Sequence, residues 1–158
     1  MNQAEKLKDT LNLPKTDFPM RANAVEREPV RLSHWEDQDV YQKMQEKNAG
    51  NEDFILHDGP PFTNGDVHVG TALNKTLKDV ILRYKNARGF RTPYVPGWDC
   101  HGLPIEWKIE EQYKKNKKNK NEVPIVEFRK ECRAFAEKWI EVHKGQFKRL
   151  GVIGDWEN

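Results

Sequence analysis

Between His57 and Thr71 the chain reads His-Asp-Gly-Pro-Pro-Phe-Thr-Asn-Gly-Asp-Val-His-Val-Gly-Thr, a stretch rich in residues that bind anions rather than pack. Gly59, Gly65 and Gly70 let the backbone come close to a ligand. A helix expected to start at about Gly70 aims its free N–H groups and the positive end of its dipole back into this loop, an arrangement that holds phosphate. Two known phosphate patterns fail here. Gly65 and Gly70 have P-loop spacing, but Thr71 and Ala72 stand where Lys and Ser or Thr are required, and no Gly-x-Gly-x-x-Gly occurs. What remains is His68, two residues ahead of the helix and able to donate a hydrogen bond to an anion at its end. Taken alone, a single loop histidine reads more readily as a surface or packing residue.

A second polar group lies at Pro96-Gly-Trp-Asp-Cys-His-Gly-Leu-Pro-Ile-Glu106. Cys100-His101 suggests a metal, but adjacent side chains diverge and zinc requires three or four ligands at regular spacing, so no metal site is expected. Trp98 beside Asp99 either covers a substrate pocket or anchors the loop, and anchoring is the simpler reading.

These loops need elements to position them. Phe54-Ile55-Leu56, cut off by Gly59-Pro60-Pro61, reads as a short buried strand. Leu73, Leu77, Val80, Ile81 and Tyr84 follow the period of an amphipathic helix that stops before Gly89. Arg91 to Val95 reads as a second extended segment, so residues 53–95 form a βαβ unit with the glycine-rich loop at the carboxyl end of its first strand. Upstream, Val30 to Asn48 suggests a helix with Ser33 as its cap and Gly50 as its end, preceded by an irregular arm over residues 1–29 that contains Pro14, Pro19 and Pro29. Downstream, one helix begins near Pro104. A longer one follows Pro124, burying Phe128, Cys132, Phe135, Trp139 and Val142 on one face, with Cys132 a small core residue. The Lys-rich tract at 114–120 between them reads as a solvated connection, with contact to an RNA backbone as the sharper alternative.

The chain has 158 residues, of which 36% are apolar and 33% charged, so its core is thin for its length. The net charge of +2 marks no strongly basic protein. No apolar run approaches the ~18 residues of a membrane span, and the first twenty residues lack the apolar stretch of a leader. Two cysteines make no disulfide framework, which fits a reducing compartment; the expectation is cytoplasmic, with no membrane contact. With only two strands to pair, both edges of a parallel sheet stay open, so the chain looks like part of a domain.

Residues 58–75, Asp-Gly-Pro-Pro-Phe-Thr-Asn-Gly-Asp-Val-His-Val-Gly-Thr-Ala-Leu-Asn-Lys, resemble the first signature of class I aminoacyl-tRNA synthetases, usually written His-Ile-Gly-His. The 96–106 loop is similar to the companion motif of the isoleucine enzymes of that class, and Phe147-Lys-Arg-Leu-Gly-Val-Ile-Gly-Asp-Trp-Glu-Asn158 resembles the segment leading to their first large insertion. Leucine enzymes usually show Ala-Glu where Ile105-Glu106 stands, and valine enzymes usually diverge through this loop.

The resemblance implies an α/β fold: the first half of a Rossmann-like parallel-sheet catalytic domain over residues 30–158, incomplete, with flanking helices. It implies ATP-dependent attachment of isoleucine to tRNA(Ile) through an isoleucyl-adenylate, with Mg2+ entering as MgATP and no structural metal. The partners implied are tRNA(Ile), L-isoleucine, ATP and the remainder of the synthetase chain, the complete enzyme being a monomer. Residue by residue, His68 and Thr71 fall at the catalytic signature, and Asn64, Gly65, His68, Gly70 and Thr71 at the ATP site. Gly59, Pro60 and Asp99 fall at the amino-acid site, where Asp99 pairs with the substrate ammonium.

The sequence departs from the pattern where Thr71 replaces the second signature histidine, giving a shorter donor that carries no positive charge. The family's Lys-Met-Ser-Lys-Ser motif is absent from these residues; Lys43-Met44-Gln45-Glu46-Lys47 is similar in letters only. The fragment is therefore expected to be inactive or nearly so alone. An ATP- or adenylate-binding module without ligase activity stays open as an alternative, as do an RNA-binding fragment and a valine or leucine enzyme of the same class. Asn74-Lys-Thr76 matches a glycosylation acceptor but falls on a helix and is set aside.

Overall fold

The computed structural model describes residues 10, 11 and 16–157, so part of the expected arm, at 1–9 and 12–15, lies outside the described residues. The first helix, α1 (Ala24–Asp37), starts inside that expected arm. Asn23, in the left-handed region at φ 45°, accepts the Glu26 and Arg27 N–H groups at 3.1 and 3.0 Å. Pro29 sits within the first two turns, where its missing N–H costs one hydrogen bond and does not end the helix. Ser33 therefore lies inside α1 and caps nothing. The single helix expected over 30–48 is two, because Asp39 turns left-handed at φ 48° and separates α1 from α2 (Val40–Lys47).

α3 (Val69–Ala87) ends before Gly89, which takes φ 95°. α4 (Leu103–Lys115) follows with Pro104 in its first turn. A 3-10 turn (Lys120–Glu122) then leads through Pro124 into α5 (Ile125–Arg149). α4 packs on α5 through Ile109, Tyr113 and Phe128, with Val123, Cys132 and Phe135 around them. The Tyr113 and Phe128 rings meet edge to face at 6.0 Å.

The parallel sheet expected from the sequence is not formed among the described residues. The segments around Phe54 and Arg91 run parallel but touch only at two isolated bridges, Asp53 with Arg91 and Phe62 with Asp99. Two local causes keep the ladder from closing. Pro60, Pro61, Pro93 and Pro96 have no N–H to give. The middle of the second segment is already bonded elsewhere: the Tyr94 N–H donates to Tyr41 Oη at 3.0 Å, its carbonyl accepts the Asp155 N–H at 2.9 Å, and the Thr92 carbonyl accepts from Gln45 Nε2 at 3.1 Å. These side chains and the tail hold the extended segment in place of a neighbouring strand.

The main core joins Leu82, Tyr94, Phe147, Val152 and Trp156, with Phe54, Leu56, Val67 and Trp98 packed against it. Trp98 thus anchors its loop. On α3 the expected orientation is reversed. Leu73, Leu77, Val80, Ile81 and Tyr84 are 43–57% exposed, whereas the face turned inward carries Lys75, Leu82 and Asn86. Hydrogen bonds and ion pairs seat that polar face. Asn86 Nδ2 donates to the Met44 carbonyl at 3.2 Å, and Asp79 accepts from Arg83 Nε at 2.6 Å and from the Ile153 N–H at 2.9 Å. On α5 the buried face runs through Phe128, Ala136, His143 and Phe147.

Candidate active site

The glycine-rich loop leaves the first extended segment after Asp58 and enters α3 at His68. Asp58 is tied down at its root: Lys75 Nζ and Lys78 Nζ each bond one carboxylate oxygen, and Tyr94 Oη donates to Oδ2 at 2.7 Å. Lys75, 1% exposed, also donates to Tyr94 Oη at 3.1 Å and lies 5.3 Å from the Phe147 ring centroid. Burial pushes the Asp58 carboxyl upward, but its bonds from Lys75, Lys78 and Tyr94 outweigh burial and hold it below the usual carboxylate value. Burial lowers the Lys75 ammonium, with Asp58 opposing that shift, and burial followed by the Asp58 bond raises the Tyr94 phenol.

At the other end of the loop His68 caps α3. Its Nδ1 accepts the Thr71 N–H at 3.2 Å and its Nε2 lies 3.0 Å from Thr71 Oγ1. With Nδ1 as acceptor, neutral His68 carries its proton on Nε2 and donates it to Thr71. The ring lies over Gly70 so closely that a Cβ there would sit 3.0 Å from His68 Cε1. A side chain at Gly70 would push the His68 ring by a few tenths of an ångström, whereas a Cβ at Gly59 or Gly65 would meet nothing within 4 Å.

The two loops are joined backbone to backbone. The Asp99 N–H donates to the Pro61 carbonyl at 2.9 Å, and the Thr63 N–H donates back to the Asp99 carbonyl at 3.1 Å. A Cβ on Gly97 would lie 3.9 Å from Pro60 Cβ. The bridge thus gathers Gly59, Pro60 and Asp99 into one neighbourhood, with Asn64 half-buried just beyond it. Among the described residues Asp99 Oδ1 is buried without a hydrogen-bond partner, with the exposed His101 ring nitrogen Nδ1 3.9 Å away, and Trp98 Nε1 is also buried and unpaired. Among the described residues no hydrogen bond or ion pair connects the His68–Thr71 pair to Asp99, so the expected site residues form two groups.

Sequence reasoning missed the supports of these groups. α5 reaches the loop through His143 Nε2, 2.7 Å from the Gly65 carbonyl, and through Gln146, whose amide bonds Asp66 and the Val67 N–H at 2.7 and 2.9 Å. His143 lies one four-residue step beyond Trp139 and one before Phe147, so the apolar period would have found it; nothing local marked Gln146. Asp58 and Lys75 stood at the ends of the recognised string with no role given to either.

Cys100 and Cys132 are both free thiols, and among the described residues no group of three or more His, Cys, Asp or Glu is placed to hold a metal. Burial raises the Cys132 thiol, in keeping with a packing role. No helix among the described residues is long and apolar enough to cross a membrane. A cleft of about 700 Å³ lies between α1, α2 and residues 148–156, and neither loop lines it.

A strand-like segment, a glycine-rich loop leading into a histidine-capped helix and a second loop bridged to the first make up this region. The family described as tRNA synthetases class I (I, L, M and V) matches residues 30–158, and the chain belongs to that family. Within it, the chain is 68% identical over 151 residues to the isoleucine--tRNA ligase of Pelagibacter ubique, covering 96% of this chain and 17% of the relative. It is 62% identical over 149 residues to the isoleucine--tRNA ligase of Mesorhizobium japonicum, covering 94% and 15%. The crystal structure of a ternary complex of Agrobacterium radiobacter K84 LeuRS, tRNA and LeuAMS superposes with a TM-score of 0.65 at 20% identity, covering 86% of this chain and 15% of that one. This likeness shows a shared fold. The chain spans about one sixth of the length of the curated relatives it matches.

Proposed function

We propose that this chain supplies the amino-terminal half of the catalytic domain, residues 30–158, of a longer enzyme that attaches isoleucine to tRNA(Ile). A carboxylate oxygen of isoleucine attacks the α-phosphorus of ATP, the bond to the β-phosphate breaks, and pyrophosphate leaves. A hydroxyl at the tRNA end then attacks the acyl carbon of the adenylate and releases AMP. No protein nucleophile takes part, so catalysis rests on positioning and on donors aimed at developing phosphate charge. The Thr71 hydroxyl, the Val69 and Gly70 amides and His68 Nε2–H, which leaves Thr71 Oγ1 for the phosphate when ATP binds, are those donors, while Asn64 and Gly65 shape the nucleotide side. Gly59 and Pro60 line the amino-acid side. Magnesium arrives with the ATP phosphates as part of the substrate.

The observation that carries this reading is the unpaired, buried Oδ1 of Asp99 beside the Phe62–Asp99 bridge. A buried carboxylate oxygen without a partner is costly, and a substrate ammonium supplies the missing cation. The uncovered apolar stripe of α3 is the expected seat of the remainder of the synthetase chain, and the complete enzyme is expected to act as a cytoplasmic monomer.

The test joins this chain to the remaining sequence of the Pelagibacter ubique relative and measures isoleucine-dependent exchange between pyrophosphate and ATP. Exchange that requires isoleucine, and is not supported by valine or leucine at equal concentration, is the expected result. A polypeptide that binds an aminoacyl-adenylate analogue but never exchanges pyrophosphate would mark the chain as a binding module.

A further inference from the structure

Among the described residues Asn64, Gly65, Asp66 and Val67 make no backbone–backbone hydrogen bond, although they lead directly into His68. Gly65, Asp66 and Val67 are anchored from 78 to 80 residues further along the chain. Gln146 uses both ends of its amide: Oε1 accepts the Val67 N–H at 2.9 Å and Nε2 donates to Asp66 Oδ1 at 2.7 Å. One turn earlier on α5, His143 donates from Nε2 to the Gly65 carbonyl at 2.7 Å. A carbonyl only accepts, so this nitrogen carries the proton. Three consecutive loop residues are thus held by two side chains of one long helix.

We infer that Gln146 is a positioning residue: it fixes Asp66 and Val67 and thereby sets His68 against the nucleotide phosphates, an inference that rests on the adenylate-forming reading above. It touches no substrate. His143 shares the hold, but its ring also packs between Trp139 and Phe147 at 6.3 and 5.8 Å, so its replacement disturbs the core as well. Gln146 is half-buried and outside both core clusters, which makes it the cleaner probe.

The test uses the same complete polypeptide and separates the KM for ATP from the KM for isoleucine in pyrophosphate exchange. Q146E still accepts the Val67 N–H but sets a second carboxylate against Asp66. It is expected to raise the KM for ATP at least about tenfold, within the ~10²-fold that a misplacement on the order of 1 Å costs, and to leave the KM for isoleucine unchanged. D66N keeps an acceptor for the Gln146 amide and stays near wild type. The D66N/Q146E pair reverses the bond, amide now donating to carboxylate, and is expected to bring the KM for ATP back. An unchanged KM for ATP in Q146E, a pair no better than Q146E alone, or a parallel rise of both KM values with a lower melting temperature each overturns the positioning role. An unsubstituted polypeptide without exchange overturns the adenylate reading itself, and the two failures are told apart by that control.

Discussion

His68 and Thr71 hold each other: Nδ1 of the histidine takes the Thr71 N–H at 3.2 Å, and its Nε2 lies 3.0 Å from the Thr71 hydroxyl. The residue that departs from the class I signature is therefore also the one that orients the signature residue left in place. Threonine supplies a neutral, shorter donor where the pattern has a second imidazole.

Changing Thr71→His in the complete polypeptide is expected to raise the exchange rate, by up to roughly 10²-fold if the position donates to the phosphate in the transition state. Thr71→Val keeps the shape but removes the Oγ1 contact with His68, and lowers the rate by about 3- to 10-fold. Equal rates for Thr71, its histidine variant and its valine variant would remove the position from the mechanism.

Asp99→Asn keeps the backbone bridge to Pro61 and Thr63, because that bridge uses only main-chain atoms. It removes the charge proposed to meet the isoleucine ammonium. The KM for isoleucine should rise about 10- to 10²-fold, as expected for losing a charge-assisted bond of ~1.5–3 kcal/mol, with the KM for ATP unmoved. Steady-state exchange at varied isoleucine and at varied ATP separates the two.

The Asp58 carboxyl titrates below its usual value when folded, so between the folded and unfolded pKa values the unfolded chain binds the extra proton. Its contribution to stability is complete above the unfolded value, near 3.8, and is lost as pH falls through the lower folded one. Melting temperatures of the chain should decline as pH drops below about 4, and Asp58→Asn should flatten that decline. At neutral pH the same change strands the Lys75 ammonium, 1% exposed, and costs about 3 kcal/mol. The D58N/K75M double variant should recover part of the loss, since neither charge is then buried alone. Additive losses in that pair would show that the two residues act separately.

Two lysines of the 114–120 tract are already engaged. Lys118 pairs with Glu131 at 3.4 Å and lies 4.5 Å from the Tyr113 ring centroid, while Lys120 pairs with Glu110 and lies 4.6 Å from the Phe128 ring centroid. Lys118→Ala and Lys120→Ala are expected to lower the melting temperature and to leave the salt dependence of tRNA binding unchanged. A slope reduced by about one for each lysine removed would instead mark a phosphate contact.

The helices were legible because their signals are local. The apolar period and Gly89 delimit α3, and Pro104 and Pro124 open α4 and α5. The chemical loops were legible as well, since Gly59 to Thr71 and Pro96 to Glu106 are contiguous strings of unusual composition. Periodicity names the two faces of a helix, however, and not which one meets this chain's core. On α3 the polar face went inward because Asp58, Tyr94 and Met44 offered partners to Lys75 and Asn86, leaving Leu73, Leu77 and Val80 outside. The sheet was overestimated for a related reason: strand-like composition at Phe54 and Arg91 says nothing about donors lost to proline or taken by Tyr41, Gln45 and Asp155.

What the sequence determined by itself is the local setting of the proposed site residues: a histidine before a helix, a glycine within its first turn and an aspartate in a loop between proline-flanked segments. Each depends on neighbours a few positions away, and short-range sterics and capping settle such choices. Only the tertiary structure decided what holds those residues. The Phe62–Asp99 bridge, the Lys75–Asp58–Tyr94 group and the reach of His143 and Gln146 into the loop each join residues 17 to 80 positions apart. Contacts at such range exist only once the chain has folded, because the loop closure they require is stabilised by the whole packed core and not by any one segment's own preference.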